Sequence, residues 1–185
     1  MLGTRGRTGL RKLALGSVAE SAFREAPCPV MTIGPKVLES KSSGAEAKHF
    51  LVPTDLSSES LSALPYGTSL ANATGGNVTL LYVRHSGSES NDQGAESVEA
   101  ANTRLRKLLQ ALPDAQAIAP FVVKAGSPAE VVVAFAKEHR IDLIVMGRRA
   151  WANDSPPMWR TAYAIVTQAS CPVLSMQTQL AFDAE

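Results

Sequence analysis

The chain has 185 residues, 45% of them hydrophobic, and a formal net charge of +1. That length holds one well-packed domain plus extra pieces, and the near-neutral charge gives no global attraction to nucleic acid or to an acidic membrane surface. No apolar run approaches the roughly 18 residues of a membrane span, so the expectation is a soluble, cytoplasmic protein.

The chain opens on Gly3-Thr4-Arg5-Gly6-Arg7-Thr8-Gly9, followed by a helical run through Gly16-Ser17 and a short strand, Cys28-Pro29-Val30-Met31-Thr32-Ile33. Gly3 and Gly6, then nine residues, then Gly16-Ser17, is a spacing with a phosphate-binding rationale. Glycines let backbone N–H groups turn toward an anion, a helix N-terminus adds positive partial charge, and a hydroxyl adds a donor. A loop of that kind follows a strand, and here the strand is expected to be missing. Arg5, Arg7, Arg11 and Lys12 precede the first acid, Glu20, which is also the composition of a transit peptide. An internal repeat argues against that.

The segment Glu25-Ala26-Pro27-Cys28-Pro29-Val30-Met31-Thr32-Ile33 returns as Gln168-Ala169-Ser170-Cys171-Pro172-Val173-Leu174-Ser175-Met176. The chain therefore holds the tail of one unit and, later, the tail of a second. Cys28 and Cys171 occupy equivalent repeat positions, which explains them as reduced, structural residues better than as a disulfide or a metal pair. Residues 35–48, rich in Gly and Ser, read as a flexible linker.

The second unit starts with a short strand, His49-Phe50-Leu51-Val52-Pro53-Thr54-Asp55. Ser57 or Ser58 is placed to cap a helix through about Thr74, stopped by Gly75-Gly76. Asn77 to Arg84 reads as a strand, His85 to Gly94 as a polar mobile loop, and Ala95 to Leu112 as a helix ended by Pro113. Gln116 to Lys124 is a third strand interrupted by Pro120, hence an edge. Gly126 turns into Ser127-Pro128 and a helix to Arg140. Ile141-Asp142-Leu143-Ile144-Val145-Met146 suits a central parallel strand covered on both faces, and a last helix, about Met158 to Ala169, leads to a final strand, Cys171 to Gln177. This alternation predicts an α/β fold with a doubly wound five-stranded parallel sheet, plus a partial helix–strand unit at the N-terminus. Its ligand crevice belongs at the carboxyl ends of the strands, at the switch point of strand order.

Three local patterns in this order, Val52-Pro53-Thr54-Asp55, Gly126-Ser127-Pro128-Ala129 and Asp142-Leu143-Ile144-Val145-Met146-Gly147, together resemble the universal stress protein family. The resemblance is to a tandem form whose first domain is truncated. It implies an adenine nucleotide alpha hydrolase-like fold, with residues 1–34 the C-terminal remnant of a first domain, 35–48 a linker, 49–178 a complete domain and 179–185 a tail. It further implies ATP as the candidate cofactor. Gly3, Gly6, Gly16 and Ser17 match the phosphate motif; Pro53, Thr54 and Asp55 correspond to the adenine and ribose region; Val83 and Gly126 line the adenine side; Met146 and Gly147 lead into the second phosphate loop.

Each of these positions also has a plainer reading. Asp55 suits a capping acid, Val83 a core residue and Gly126 a turn. In the complete domain the motif degrades: Ala150 stands in place of the second glycine, Trp159-Arg160-Thr161 in place of Gly-Ser, and Pro156-Pro157 remove two N–H donors. Triphosphate binding there is expected to be weak or lost, leaving Arg148, Arg149 and Arg160 as either an anion-attracting or a solvated basic loop. Trp151 and Trp159 are expected to pack on the sheet edge or a partner. His49, His85 and His139 lack metal-ligand spacing, so no metal is required, and no catalytic triad or phosphorylation site can be assembled, so no enzymatic activity is expected.

Two functions follow from the resemblance: a stress-response or signalling module with an incomplete ATP site that works through assembly with an unknown protein partner, or an ATP-binding protein whose ligand controls assembly. Family members pair their final strands antiparallel. Here that predicts either a homodimer or an intrachain extension, with Cys28–Ile33 paired to Cys171–Met176 and the basic helix before it covering the exposed face.

Overall fold

The structure is a computed structural model that describes residues 2–3, 17–37, 47–85, 98–110, 118–148 and 159–177. The N-terminal unit consists of β1 (Leu2–Gly3), α1 (Ser17–Glu25) and β2 (Val30–Ile33). The larger unit follows as β3 (His49–Thr54), α2 (Ser58–Leu61), α3 (Leu64–Thr74), β4 (Asn77–His85), α4 (Val98–Gln110), β5 (Ile118–Gly126), α5 (Pro128–Glu138), β6 (Leu143–Arg148), α6 (Trp159–Gln168) and β7 (Val173–Gln177). Of the segment read as a loop after Arg84, His85 belongs to β4, and the rest lies outside the described residues.

All these strands form one sheet in the order β1-β2-β7-β6-β3-β4-β5. The expected five parallel strands are β7, β6, β3, β4 and β5. Their side chains alternate between two faces, as the period of a strand requires. Phe50, Val52, Leu80 and Val145 meet α3 and α4, whereas Leu51, Leu81, Ile144 and Met146 meet α5, α6 and α1. Burial on both faces explains the almost unbroken apolar run of β6. Asp142 precedes it and faces the other way in function: its Oδ2 accepts the backbone N–H groups of Lys48 and His49 at 2.9 Å each, fastening the start of β3.

The single helix expected from Ser57 to Thr74 is instead two. Pro65 has no N–H to give the carbonyl of Leu61, so the ladder stops after α2 and restarts with proline in the first turn of α3. Ser57 is the N-cap of α2, and Gly75 closes α3 in the left-handed region at φ 62°. The edge position of β5 is as expected. Its register against β4 shifts between Thr79↔Ala119 and Leu81↔Val122, so Pro120 falls in a bulge, where a missing donor is tolerated.

The strand expected to be missing before the first glycine loop is present in its last two residues. Leu2 pairs with Thr32 and Gly3 with Ile33, and in the larger unit Met146 pairs with Ser175 and Gly147 with Met176. Thr32 and Ser175 are equivalent in the repeat, as are Ile33 and Met176. β1 is therefore the counterpart of the end of β6.

β2 lies antiparallel to β7, with Val30↔Ser175, Met31↔Leu174 and Thr32↔Val173, which is the intrachain sheet extension. The junction is self-complementary about the Met31–Leu174 pair. Thr32 Oγ1 donates to the carbonyl of Val173 at 3.1 Å, and Ser175 Oγ donates to that of Val30 at 3.3 Å; both hydroxyl residues are fully buried. Of the helix expected to be basic, the described part is α1, which contains Glu20, Arg24 and Glu25; Arg5, Arg7, Arg11 and Lys12 lie outside the described residues. It covers the sheet through apolar contact, with Ala19 and Phe23 buried in the same core as α5 and α6.

Candidate functional site

The direction of strand order reverses between β3 and β6: from β3 the chain builds outward through β4 to β5, then returns to β6 on the other side. The carboxyl ends of these parallel strands share one edge, so the switch-point crevice lies between Thr54-Asp55 and Met146-Gly147-Arg148.

On the β3 side, Thr54 is buried, its Oγ1 lies 2.8 Å from Ser60 Oγ and it accepts the Leu56 N–H at 2.9 Å. That contact helps hold Leu56 in the left-handed region, at φ 65°, while its side chain enters the core. The reversal leaves Asp55 exposed at the crevice, where its Oδ1 accepts the N–H of Ser57 at 2.9 Å and the Ser57 hydroxyl. Pro53 is half-buried in the strand.

Partial burial raises the Asp55 pKa, but the hydrogen bonds from Ser57 and Ser60 outweigh it and hold the carboxyl below its ordinary value. A depressed folded-state pKa gives stability that is present above the unfolded value of about 4 and lost as pH falls through the folded one. Asp55→Asn should therefore destabilise the protein at neutral pH, and the gap from wild type should narrow on acidification to about pH 3. Urea unfolding at both pH values measures this, and a gap independent of pH would contradict it.

On the β6 side, alternation sends neighbouring residues to opposite faces. A Cβ on Gly147 would overlap the carbonyl of Glu59 in α2 and come within 3.0 Å of Ser62 Oγ. Its lack of a side chain is thus required by the packing of α2 on β6. Arg148 points to the other face. It is buried, its Nη2 donates to the carbonyl of Ala26 at 2.9 Å, and its guanidinium lies 5.7 Å from the centre of the Phe23 ring. Burial lowers its pKa from the ordinary arginine value. Arg148 is therefore neither a solvated loop residue nor turned toward the crevice: it grips the end of α1. Arg149 lies outside the described residues, and Arg160 is exposed in the first turn of α6.

Val83 and Met146 are core residues, buried in the cluster shared with α5 and α6. Gly126 makes the turn into α5 at φ 144°, where a Cβ would also press on Val131 Cγ2 at 2.9 Å. Val83 sits opposite Lys124 and His85 opposite Gly126, so Thr54, Asp55, Val83, Gly126, Met146 and Gly147 do gather at one edge. Gly3 does not join them. Because β1 runs with β2 and against β7, its carboxyl end points to the opposite edge of the sheet. Ser17 begins α1, and Gly6 and Gly16 lie outside the described residues.

Cys28 is exposed and Cys171 buried, both as free thiols. Burial pushes the Cys171 pKa up to about 12, so it is a protonated core residue at neutral pH. Among the described residues, no group of three or more His, Cys, Asp or Glu side chains is placed to hold a metal ion, and no helix is long and apolar enough to cross a membrane.

The model of the universal stress protein family matches residues 1–34 and 46–176. The chain belongs to this family. No curated protein matches it. Among solved structures, a universal stress protein from Archaeoglobus fulgidus superposes with a TM-score of 0.69 at 22% identity, covering 95% of this chain and 60% of that one. UspA from Lactobacillus plantarum gives 0.58 at 24% identity, covering 72% of this chain and 99% of its own. A universal stress protein in complex with cAMP gives 0.54 at 21% identity, covering 73% and 100%. At these identities the likeness is one of fold. The universal stress fold here includes both units on one sheet, although the chain spans only three fifths of the Archaeoglobus protein's length.

Proposed function

We propose that this universal stress protein is a cytoplasmic, non-catalytic stress-response or signalling module that works through assembly and whose nucleotide site is degenerate. The observation that carries this reading is the use of the crevice residues by the protein itself. Asp55 is tied to Ser57, Gly147 is filled against by the Glu59 carbonyl, and Arg148 is committed to Ala26. The first cation of the phosphate loop is thus turned away from the crevice. Ala150, Trp159 and Arg160 in place of the motif residues point the same way.

In this reading residues 1–34 derive from a first universal stress domain, residues 35–48 link it to the complete domain at 49–178, and the unit serves as a built-in partner at the assembly edge. The self-complementary junction about Met31 and Leu174 supports it. In place of a second copy, β2 covers β7, and the homodimer of final strands becomes the state reached when β2 is absent.

A second reading, an ATP-binding protein whose ligand controls assembly, is favoured by the full Gly3, Gly6, Gly16, Ser17 spacing and by the relative solved with cAMP. Calorimetric titration with ATP separates the two. No binding heat is expected for the purified chain. Micromolar binding abolished by Gly6→Val would establish the second reading and overturn the first.

A further inference from the structure

We infer that Gly34 is the specificity-determining residue of the β7 edge: it lets β2 seat beside α6, and the glutamine that a second copy would bring to the same place does not fit there. This rests on the reading above, in which β2 stands in for a second copy, and names what favours the one occupant over the other.

The two candidate occupants of the edge are nearly the same strand. Val30, Met31 and Thr32 hold the repeat positions of Val173, Leu174 and Ser175. Because the pairing is symmetric about Met31↔Leu174, β7 of a second copy can take the place of β2 without changing register. Ser175 would then donate to the carbonyl of Val173 of the partner subunit, as it now donates to that of Val30. The carbonyl that Arg148 holds is common to both occupants as well, since Ala169 repeats Ala26. Neither contact tells β2 from a second copy.

The repeat departs from itself where the strands end. Gly34 follows β2, and Gln177 holds the equivalent position at the end of β7. A Cβ on Gly34 would lie 2.5 Å from the carbonyl oxygen of Val166 and 3.9 Å from that of Ala169, so the chain passes the last turn of α6 at backbone distance. Gly34 is not among the glycines of positive φ, and its missing side chain serves this approach alone. The obstacle is fixed. It is backbone, and the Val166 side chain is buried in the core shared with α5, so α6 cannot step back without opening that core. In a second copy paired on β7, Gln177 of the partner subunit would stand at this place and carry the overlapping Cβ. The homodimer is two-fold symmetric, so it would suffer the overlap twice. Within one chain the place beside α6 falls to Gly34, and Gln177 takes the equivalent place beside α1. A built-in clash of this kind selects between strands that otherwise pair equally well.

Exchanging the two residues tests this. The background is the full chain with Cys28→Ser and Leu174→Cys, in which oxidation reports Leu174 positions facing each other across two copies; at micromolar protein it should stay uncrosslinked. Gly34→Gln should release β2, with amide protection lost over residues 30–33 and retained in β3, β4 and β6. Gly34→Ala should show most of the same loss, because the overlap begins at Cβ. Each alone should give few covalent dimers, since Gln177 of a second copy meets the same carbonyl. Adding Gln177→Gly to Gly34→Gln should lower the protein concentration for half-maximal crosslinking roughly tenfold or more. Residues 30–33 that stay protected in both Gly34 variants, or dimers that form no more readily with Gln177→Gly than without it, overturn the role of Gly34. Crosslinked dimers in the unsubstituted background overturn the underlying reading instead, because β2 would then not be covering the edge.

Discussion

Gly147→Val is expected to destabilise the protein by about 3 kcal/mol or more, with no ligand present. The first atom of any side chain there would overlap the Glu59 carbonyl and crowd Ser62 Oγ, and backbone cannot step aside as a flexible side chain can. α2 would have to lift off β6, taking with it the turn at Leu56 and the contacts of Thr54 with Ser60. Gly147→Ala should already show most of the loss, since the clash begins at Cβ. Chemical denaturation of the apo protein measures it. Near-wild-type stability would mean that Gly147 is kept for a ligand and that the packing argument is wrong.

Phe23→Ala should act on a different part of the molecule. Phe23 is 2% exposed, and truncating a buried phenylalanine costs about 3–5 kcal/mol. The described part of the unit it anchors is short, a nine-residue helix, a four-residue strand and a two-residue strand, held otherwise by the pairing of β2 with β7 and by Arg148. The larger unit keeps its own core on both faces, with Phe50, Leu80, Leu105 and Val145 untouched on the far side of the sheet. The expected result is local release: amide protection collapses over residues 17–33 and persists in β3, β4 and β6. Cooperative loss across the whole chain would instead show that the two units fold as one.

Much of this fold was legible because its signals are local. Alternation and the apolar run of β6 gave the parallel sheet, and Pro120 marked the edge strand that the bulge confirms. Pro65 was an equally local signal for the break between α2 and α3, outweighed by the continuous reading from Ser57 to Gly75. What was not legible depends on residues distant in sequence. β1 is two residues long, and only its register on β2 identifies it as the counterpart of Met146-Gly147. The spacing of Gly147 read as a ligand motif, whereas the cause lies in a carbonyl of α2. Arg148 looked like one of three loop cations, yet its partner lies 122 residues away in the other unit. Charge alone does not tell where a side chain will turn. Asp55 was open between ligand contact and capping acid; the N-cap of α2 is Ser57, and Asp55 accepts the N–H and hydroxyl of that residue.

The junction of β2 with β7 underlies both the assembly reading and the role of Gly34, and it can be measured directly. Met31 and Leu174 are directly opposed, and residues so placed on antiparallel strands have Cβ atoms about 4.5–5.5 Å apart, a separation that modest adjustment brings within reach of a disulfide. In the full chain with Cys28→Ser, the pair Met31→Cys and Leu174→Cys should oxidise to an intrachain disulfide of monomeric mass, insensitive to dilution. Failure to crosslink, or crosslinks formed only between chains, would contradict the single continuous sheet.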